Sequence, residues 1–425
     1  MLDIKFIREN AELVRAAAKK KRLDFDLDKL LTADDQRLTL LKLVEAARAE
    51  QNEVGEKIAQ ASAEEKSKLI AEMVAVKDEL KKQEEAMAAV LREWRQLMIA
   101  VPNIPDISVP DGQDESGNVE AMVWGKKPEF DFEPKDHLTL MTALGLVDFE
   151  RGIKAHGFRG YFLIGQGAEL AWALLNYSRE FFARKNFVSV IAPAIVKKEY
   201  FYGTGHLPRE AEDLYKTQDD DYLSGTAEVP LMAYHADEIL SATELPKRYL
   251  AFSSCFRREA GSHGKDTKGL IRVHEFFKFE QLILCRADHA ESAAWHEELN
   301  RNYEEFLESL GLPYRRVVIC GGELSASKVK QYDTEIWFPA SQIYREGSSA
   351  SYYHDWQTRR FNIRYRDSED KLRFVHSLNS TASAIPRLLA ALVENYQQAD
   401  GSLAVPEVLR PYLAGQVKIG HARSS

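Results

Sequence analysis

The chain is poor in cysteine: Cys255, Cys285 and Cys320 are the only three among 425 residues. Spaced about 30 residues apart, they form neither a C-x-x-C zinc pattern nor a disulfide framework, so a reduced, cytoplasmic setting is expected. Long apolar runs are missing too. The opening MLDIKFIRENAELVRAAAKKK offers no stretch for a signal peptide or a membrane span. There is no excess of basic charge: 57 Lys and Arg against 66 Asp and Glu leave a net charge of −9. Bulk charge therefore gives no pointer to a nucleic acid, although a local basic patch stays open because binding follows the local field. Neither G-x-G-x-x-G nor G-x-x-x-x-G-K-[ST] occurs, which removes the dinucleotide fingerprint and the P-loop. What is present, 45% hydrophobic and 29% charged residues, is the composition of a soluble globular protein too long for one ordinary domain.

The first hundred residues differ from the rest. Leu40, Val44, Ala47, Gln51, Val54, Ile58 and Ala61 step by four and three, as do Leu69, Met73, Val76, Leu80, Gln83, Met87, Val90, Trp94 and Leu97. Each series is a heptad seam with one polar interruption. The polar ASAEEKSK between them is expected at the tip of an antiparallel helical hairpin spanning about 35–98. Helices of about 25–30 residues would reach about 40 Å, longer than a globular core needs, and read as a protruding arm. Its Arg48, Lys57, Lys66, Lys68, Lys77, Lys81, Lys82, Arg92 and Arg95 alternate with many Glu. These read either as solvated helix surface with i,i+4 pairs or as phosphate contacts aligned along one groove.

The following VPNIPDISVPDGQDESGN is dense in proline and turn formers and cannot be helix; it reads as a linker or a meandering edge. Beyond it, GAELAWALLNYSREFFARKNF (167–187) predicts an amphipathic helix and VSVIAP a short strand. Further strands are expected at 222–229, 247–256, 272–285, 315–320 and 357–366, with a closing helix in AIPRLLAALVENYQQ opened by Pro386. Consecutive strands with short joins argue for an antiparallel sheet. The fold class is α+β: a helical arm at 1–105 and a body of mixed helix and strand at 106–425.

Chemistry concentrates in FRREAGSHGKDTKGLIRVHEFFKFEQ (256–281). Strand alternation puts Arg257 and Glu259 on one face, and His274, Phe276, Lys278 and Glu280 together, with Phe277, Phe279 and Ile283 opposite as core. Paired as a hairpin, the halves would collect Arg257, Glu259, His274, Phe276 and Glu280 on one side. A wet outer face gives the same alternation, but a lone Phe276 among charges fits a stacking platform or an interface better. Similar polar clusters occur in SGTAEVPL, read as a strand end carrying Thr226 and Glu228 on one parity, and in YREGSSASYYHDWQTRR, read as a turn with Glu346, Ser348 and Ser349. A third, HSLNSTASAIPR, reads as a polar loop and N-cap with Asn379, Thr381 and Arg387.

Taken with GTGHLP, TAEVPL, YDTEIWFPA and LNSTASAIPRLLAALVENYQQADGSLAVPEVLRPYL, these stretches resemble, in order and nearly end to end, the bacterial-type seryl-tRNA synthetases of class II. The resemblance implies a class II catalytic domain, a tRNA-binding coiled-coil arm and a homodimer joined through the helix and strand ending at Pro193. It implies ATP and Mg²⁺ as cofactors, L-serine as substrate, and serine tRNA, with selenocysteine tRNA a further candidate, as partner. By the same resemblance Arg257, Glu280 and Arg387 are the catalytic set, Arg257 bridging the serine carboxylate and the α-phosphate. Serine contacts fall to Thr226, Ala227, Glu228, Arg257, Glu280, Asn379 and Thr381. Those to ATP fall to Arg257, Arg258, Glu259, Val273, Phe276, Glu346, Gly347, Ser348, Ser349 and Arg387, with Phe276 and Arg387 sandwiching adenine. Glu346 and Ser349 are the implied metal ligands.

Many members have other residues at Gly347, Ala350, Ser380-Thr381 and Pro386; Thr381 keeps a hydroxyl toward serine. Lys265 and Asp266, in the loop between the halves, are expected to close over the nucleotide and meet the tRNA end. Two alternatives stay open: a paralogue that binds tRNA without charging it, and a ligase that passes a small amino acid to a carrier protein.

Overall fold

The heptad positions of the arm pack inward. In a computed structural model that describes residues 1–261, 264 and 268–420, two long antiparallel helices run from Leu27 to Gln60 (α1) and from Ala63 to Ala100 (α2). Every seam residue is buried or half-buried, with Val44, Ala47, Val54, Val76 and Leu80 the most enclosed. The tip is shorter than expected: only Ala61 and Ser62 lie between the helices. Ser62 and Glu65 form a capping box, so EEKSK continues the helix as its first turns. Residues 1–19 and 23–102 form one compact unit; 20–22 and 103–425 form the other.

The second unit is built on an eight-stranded sheet: β1 (Val119–Trp124), β2 (Val188–Ile191), β3 (Lys247–Phe256), β4 (Glu275–Cys285), β5 (Tyr314–Val318), β6 (Lys330–Phe338), β7 (Ile343–His354) and β8 (His376–Ala384). Their spatial order is β1-β5-β6-β7-β8-β4-β3-β2, antiparallel throughout except for the β2–β3 pair. Helices α3 (His137–Ala143), α4 (Gln166–Ala183), α5 (Glu228–Tyr234), α6 (His289–Ser309) and α7 (Ile385–Asn395) complete it. Apolar residues of α4, α6 and α7, among them Leu174, Phe182, Phe306 and Leu389, pack with Leu250, Ile283 and Ile336 of the sheet in the main core. That the sheet is mostly antiparallel makes the fold α+β, as its turn-linked strands predicted.

Several local readings need correction. HSLNSTASA is a strand, β8, paired on both sides; its Ser377, Ser380 and Ser383 are buried, so polar composition concealed a central strand. Residues 344–354 are likewise strand, not turn. The strand expected at 222–229 stops at Leu223, and Glu228 opens α5. The stretch 357–366 splits into a helical turn, Thr358–Phe361, and a short strand, Arg364–Arg366. The hairpin halves also end earlier than read: β3 closes at Phe256 and β4 opens at Glu275, leaving Arg257, Glu259 and His274 off the strands. Phe277 is 38% exposed, not core. Lys265 and Asp266 lie outside the described residues. A β-bulge in β7 sits at Gly347: Thr334 pairs with Ser348 while Glu335 pairs with Glu346. A Cβ at Gly347 would stand 2.4 Å from the Tyr303 hydroxyl and 2.7 Å from Ile336 Cδ1, so a larger residue there would need both side chains to shift.

Candidate active site

Alternate residues of β4 wall two adjoining hollows, as their shared parity predicted. A polar cavity of about 310 Å³ is lined by Thr226, Glu228, Arg257, Lys278, Glu280, Glu346, Ser349, Asn379 and Thr381. Beside it a slot of about 70 Å³ is lined by Glu259, Val273, Phe276, Gly347 and Arg387. Arg257, Lys278, Glu346 and Thr381 border both.

The cavity floor is a buried ionic triangle. Lys278 and Glu280 form an ion pair with side chains only 5% and 3% exposed. Lys278 Nζ donates to Thr226 Oγ1 at 2.9 Å, and that hydroxyl donates to Glu280 Oε2 at 3.2 Å. Glu228, buried at the start of α5, accepts from Gln357 Nε2 at 2.6 Å, while its own N–H reaches Thr226 Oγ1 at 3.3 Å. Asn379 is held by the Tyr353 hydroxyl at 2.9 Å. Arg257 donates from Nε and Nη2 to the Gly225 carbonyl at 3.3 Å and lies 5.6 Å from the Phe276 ring centre. Gly225 permits this approach, since a Cβ there would stand 3.0 Å from Arg257 Cγ. Charges of both signs line the cavity, among them the carboxylates Glu228 and Glu280 and the cations Lys278 and Arg257. A cavity with paired charges of both signs accepts a small zwitterion without net unpaired charge.

The slot is framed by a second set of charges. Arg387, in the first turn of α7, donates to the Glu346 carbonyl and lies 3.4 Å from its carboxylate. Glu259, with a left-handed φ of 56°, pairs with Arg272 at 2.5 Å. Burial pushes the Glu346 carboxyl up, but Arg387, Arg257 and Lys328 outweigh it and hold the group below its ordinary range. Asp333 is pushed up to about 7 by burial and by Glu346. The bulge at Gly347 brings Glu346 and Ser349, three positions apart, to the same cavity, with Ser349 opposite Asp333. Among the described residues no three His, Cys, Asp or Glu side chains are grouped to hold a metal by themselves. One carboxylate and one hydroxyl suit a hard cation shared with phosphate oxygens and water.

Three expected contacts face elsewhere. Ala227 is buried, and Arg258 lines neither hollow, its N–H bonding the Asp213 carbonyl at 2.8 Å. Ser348 Oγ points into the sheet, donating to the Thr381 carbonyl at 2.8 Å, because the bulge puts it on the opposite face from Glu346. His274 also stays out, bonded through Nδ1 to the Arg257 carbonyl at 2.9 Å. Lys278 received no role from the sequence, although its parity with Phe276 and Glu280 was the available signal. Arg209, Lys328 and Gln331 line the cavity without any local pattern that marks them.

An antiparallel sheet that presents an arginine just past one strand, an aromatic platform on the next and a second arginine opening the C-terminal helix defines the core of a class II aminoacyl-tRNA synthetase. Residues 214–396 match the family model described as tRNA synthetase class II core domain (G, H, P, S and T). Residues 1–105 match the seryl-tRNA synthetase N-terminal domain. The serine–tRNA ligase of Deinococcus radiodurans is 45% identical over 421 residues, covering 99% of each chain. The structure of seryl-tRNA synthetase from Pyrococcus horikoshii complexed with ATP is 38% identical with a TM-score of 0.91 and covers 100% of both chains. That of the cytoplasmic serine–tRNA ligase from Naegleria fowleri with AMP is 30% identical with a TM-score of 0.87, covering 100% of this chain and 99% of that one. The chain belongs to the seryl-tRNA synthetases, aminoacyl-tRNA ligases of class II.

Lys278 borders both hollows, but its charge is engaged by Glu280 and Thr226, which line the cavity alone, so removing it should act mainly on the cavity. Breaking one side of a buried pair typically costs about 3–5 kcal/mol. In Lys278→Met the KM for serine should rise at least about tenfold, a loss of about 1.4 kcal/mol, and the melting temperature should fall. The KM for ATP should change far less. Equal rises in both constants would contradict a cavity-specific role.

Proposed function

We propose that this seryl-tRNA synthetase binds L-serine in the polar cavity and ATP with its base in the slot. The observation that carries the reading is that Arg257, Lys278, Glu346 and Thr381 border both hollows, so reacting groups held in each would meet beside Arg257. The serine carboxylate attacks the α-phosphorus, the bond to the β-phosphate breaks and pyrophosphate leaves. Arg257 offers a planar fork to the carboxylate and phosphate oxygens as charge shifts between them. Glu280 and Glu228 receive the ammonium, and Thr226 orients it. Phe276 and Arg387 take the two faces of adenine, Arg387 exchanging its bond to the Glu346 carbonyl for the base. In the second step the 3′-terminal ribose hydroxyl of tRNA attacks the seryl carbonyl and AMP leaves. Thr381 and Asn379 meet the substrate hydroxyl, so alanine leaves polar groups unpaired, while threonine must be excluded by shape.

Glu346 and Ser349 would hold Mg²⁺. Bound there, the ion would neutralise phosphate charge. The low-lying carboxyl of Glu346 supports this assignment. Pyrophosphate exchange should therefore run with serine and MgCl₂, stop on chelation, and stay far slower with alanine, glycine or threonine. Absence of serine-dependent exchange would overturn the reading.

The arm presents Lys66, Lys68, Lys77, Lys81, Lys82, Arg92 and Arg95 to solvent, whereas Arg48 and Lys57 are paired with Glu84 and Glu53. This supports a phosphate-tracking role toward serine tRNA, with selenocysteine tRNA a second candidate. Deleting residues 40–97 should leave serine activation nearly intact and abolish charging of total tRNA. Equal loss of both activities would make the arm structural.

A homodimer is supported by the sheet edge: β2 is a terminal strand whose Ile191 is 85% exposed, with Val188 of the same strand also exposed. An uncovered apolar edge invites pairing. Sedimentation should give twice the chain mass, and Ile191→Asp should shift it toward monomer; a monomeric wild type would refute this. A cytoplasmic location follows from the tRNA substrate and agrees with three buried free thiols; no helix among the described residues is long and apolar enough to cross a membrane.

A further inference from the structure

The chain that returns from the loop after Glu259 runs through Gly269 and Leu270 into Ile271, Arg272 and Val273, one wall of the slot. Side chains from two other elements hold its returning end: Arg387 Nε of α7 donates weakly to the Ile271 carbonyl at 3.5 Å, and the first residue of α3 reaches Leu270. His137, first residue of α3, is 7% exposed and accepts the Leu270 N–H at Nε2, 3.2 Å away. A ring nitrogen that accepts carries no proton, so the hydrogen-bond network assigns the proton to Nδ1. Nδ1 faces Glu394 Oε1 at 2.8 Å. Glu394 also accepts the His137 backbone N–H at 3.0 Å and, through Oε2, the Ala340 N–H at 3.2 Å. Glu394 closes the far end of α7, whose first turn carries Pro386 and Arg387, the opposite wall of the slot. Gly269 lies flush against the ring: at a φ of 82°, a Cβ there would stand 2.4 Å from His137 Nε2.

We propose that His137 is a positioning residue for the nucleotide slot. Its ring ties the returning limb to α7 and so sets the separation of the two walls, although it lines neither the slot nor the polar cavity. The proposal rests on the reading of the slot as the ATP site. Loss of the Nε2 acceptor would leave a fully buried N–H at Leu270 without a partner, and the limb would drift from its register against Arg387.

The test separates the two ring nitrogens. His137→Gln places an amide oxygen where Nε2 stands and keeps an acceptor for Leu270; His137→Asn reaches only the Nδ1 position and keeps the contact to Glu394. In pyrophosphate exchange, His137→Asn should raise the KM for ATP about tenfold, with kcat and the KM for serine within about twofold. His137→Gln should restore the KM for ATP. Hydrogen exchange across residues 268–273 should accelerate in His137→Asn and stay near wild type in His137→Gln. Equal effects of both variants on both substrates, with a matching fall in melting temperature, would reduce His137 to a core residue and overturn the proposal. So would unchanged exchange across 268–273 in His137→Asn. Wild-type protein that fails to bind ATP would sink the slot reading itself, and the exchange comparison would still show whether His137 anchors the limb.

Discussion

The ion pair between Lys278 and Glu280 is the constraint on which the site depends. Both residues sit on a central strand where an unpaired charge would cost several kcal/mol, and they are tolerated because each is the other's counter-ion. Their pairing also fixes Thr226, and through it the start of α5 and the position of Glu228. The cavity is thus charged and internally paired before any substrate arrives. Preorganised charge of this kind is what acyl-adenylate chemistry needs, since the protein supplies orientation and oxyanion neutralisation more than covalent help.

The second constraint is the bulge at Gly347. Regular alternation would put Glu346 and Ser348 on one face and turn Ser349 away. The extra residue reverses parity, so a carboxylate and a hydroxyl three positions apart share the cavity while Ser348 closes the sheet onto Thr381. Tyr303 and Ile336 crowd the position so closely that a side chain there would require them to move.

How much was legible in the sequence follows from the range of the forces involved. The arm was read well because heptad spacing is local and its seam residues all face inward. The alternation of Phe276, Lys278 and Glu280 was read correctly for the same reason. The neighbouring Arg257, Glu259 and His274 were not, because pairing between β3 and β4 ends before them. The strand β8 was mistaken for a loop since its serines and Asn379 look solvent-bound until β4 and β7 supply partners. Family resemblance brought together Thr226, Glu280, Glu346, Thr381 and Arg387, which are far apart in the chain. It missed Lys278, whose role appears only when the ion pair is seen. His137 carries no motif, and its place is set by contacts with residues 133 and 257 positions away.

The central claim is that one arginine, Arg257, joins an amino-acid cavity to a nucleotide slot. The most direct measurement is a crystal structure with a non-hydrolysable seryl-adenylate analogue. The account predicts the seryl ammonium on Glu280 and Glu228, the adenine between Phe276 and Arg387, and the linking group on Arg257. An analogue bound with its base outside that slot, or with the seryl group away from the Lys278–Glu280 pair, would contradict it.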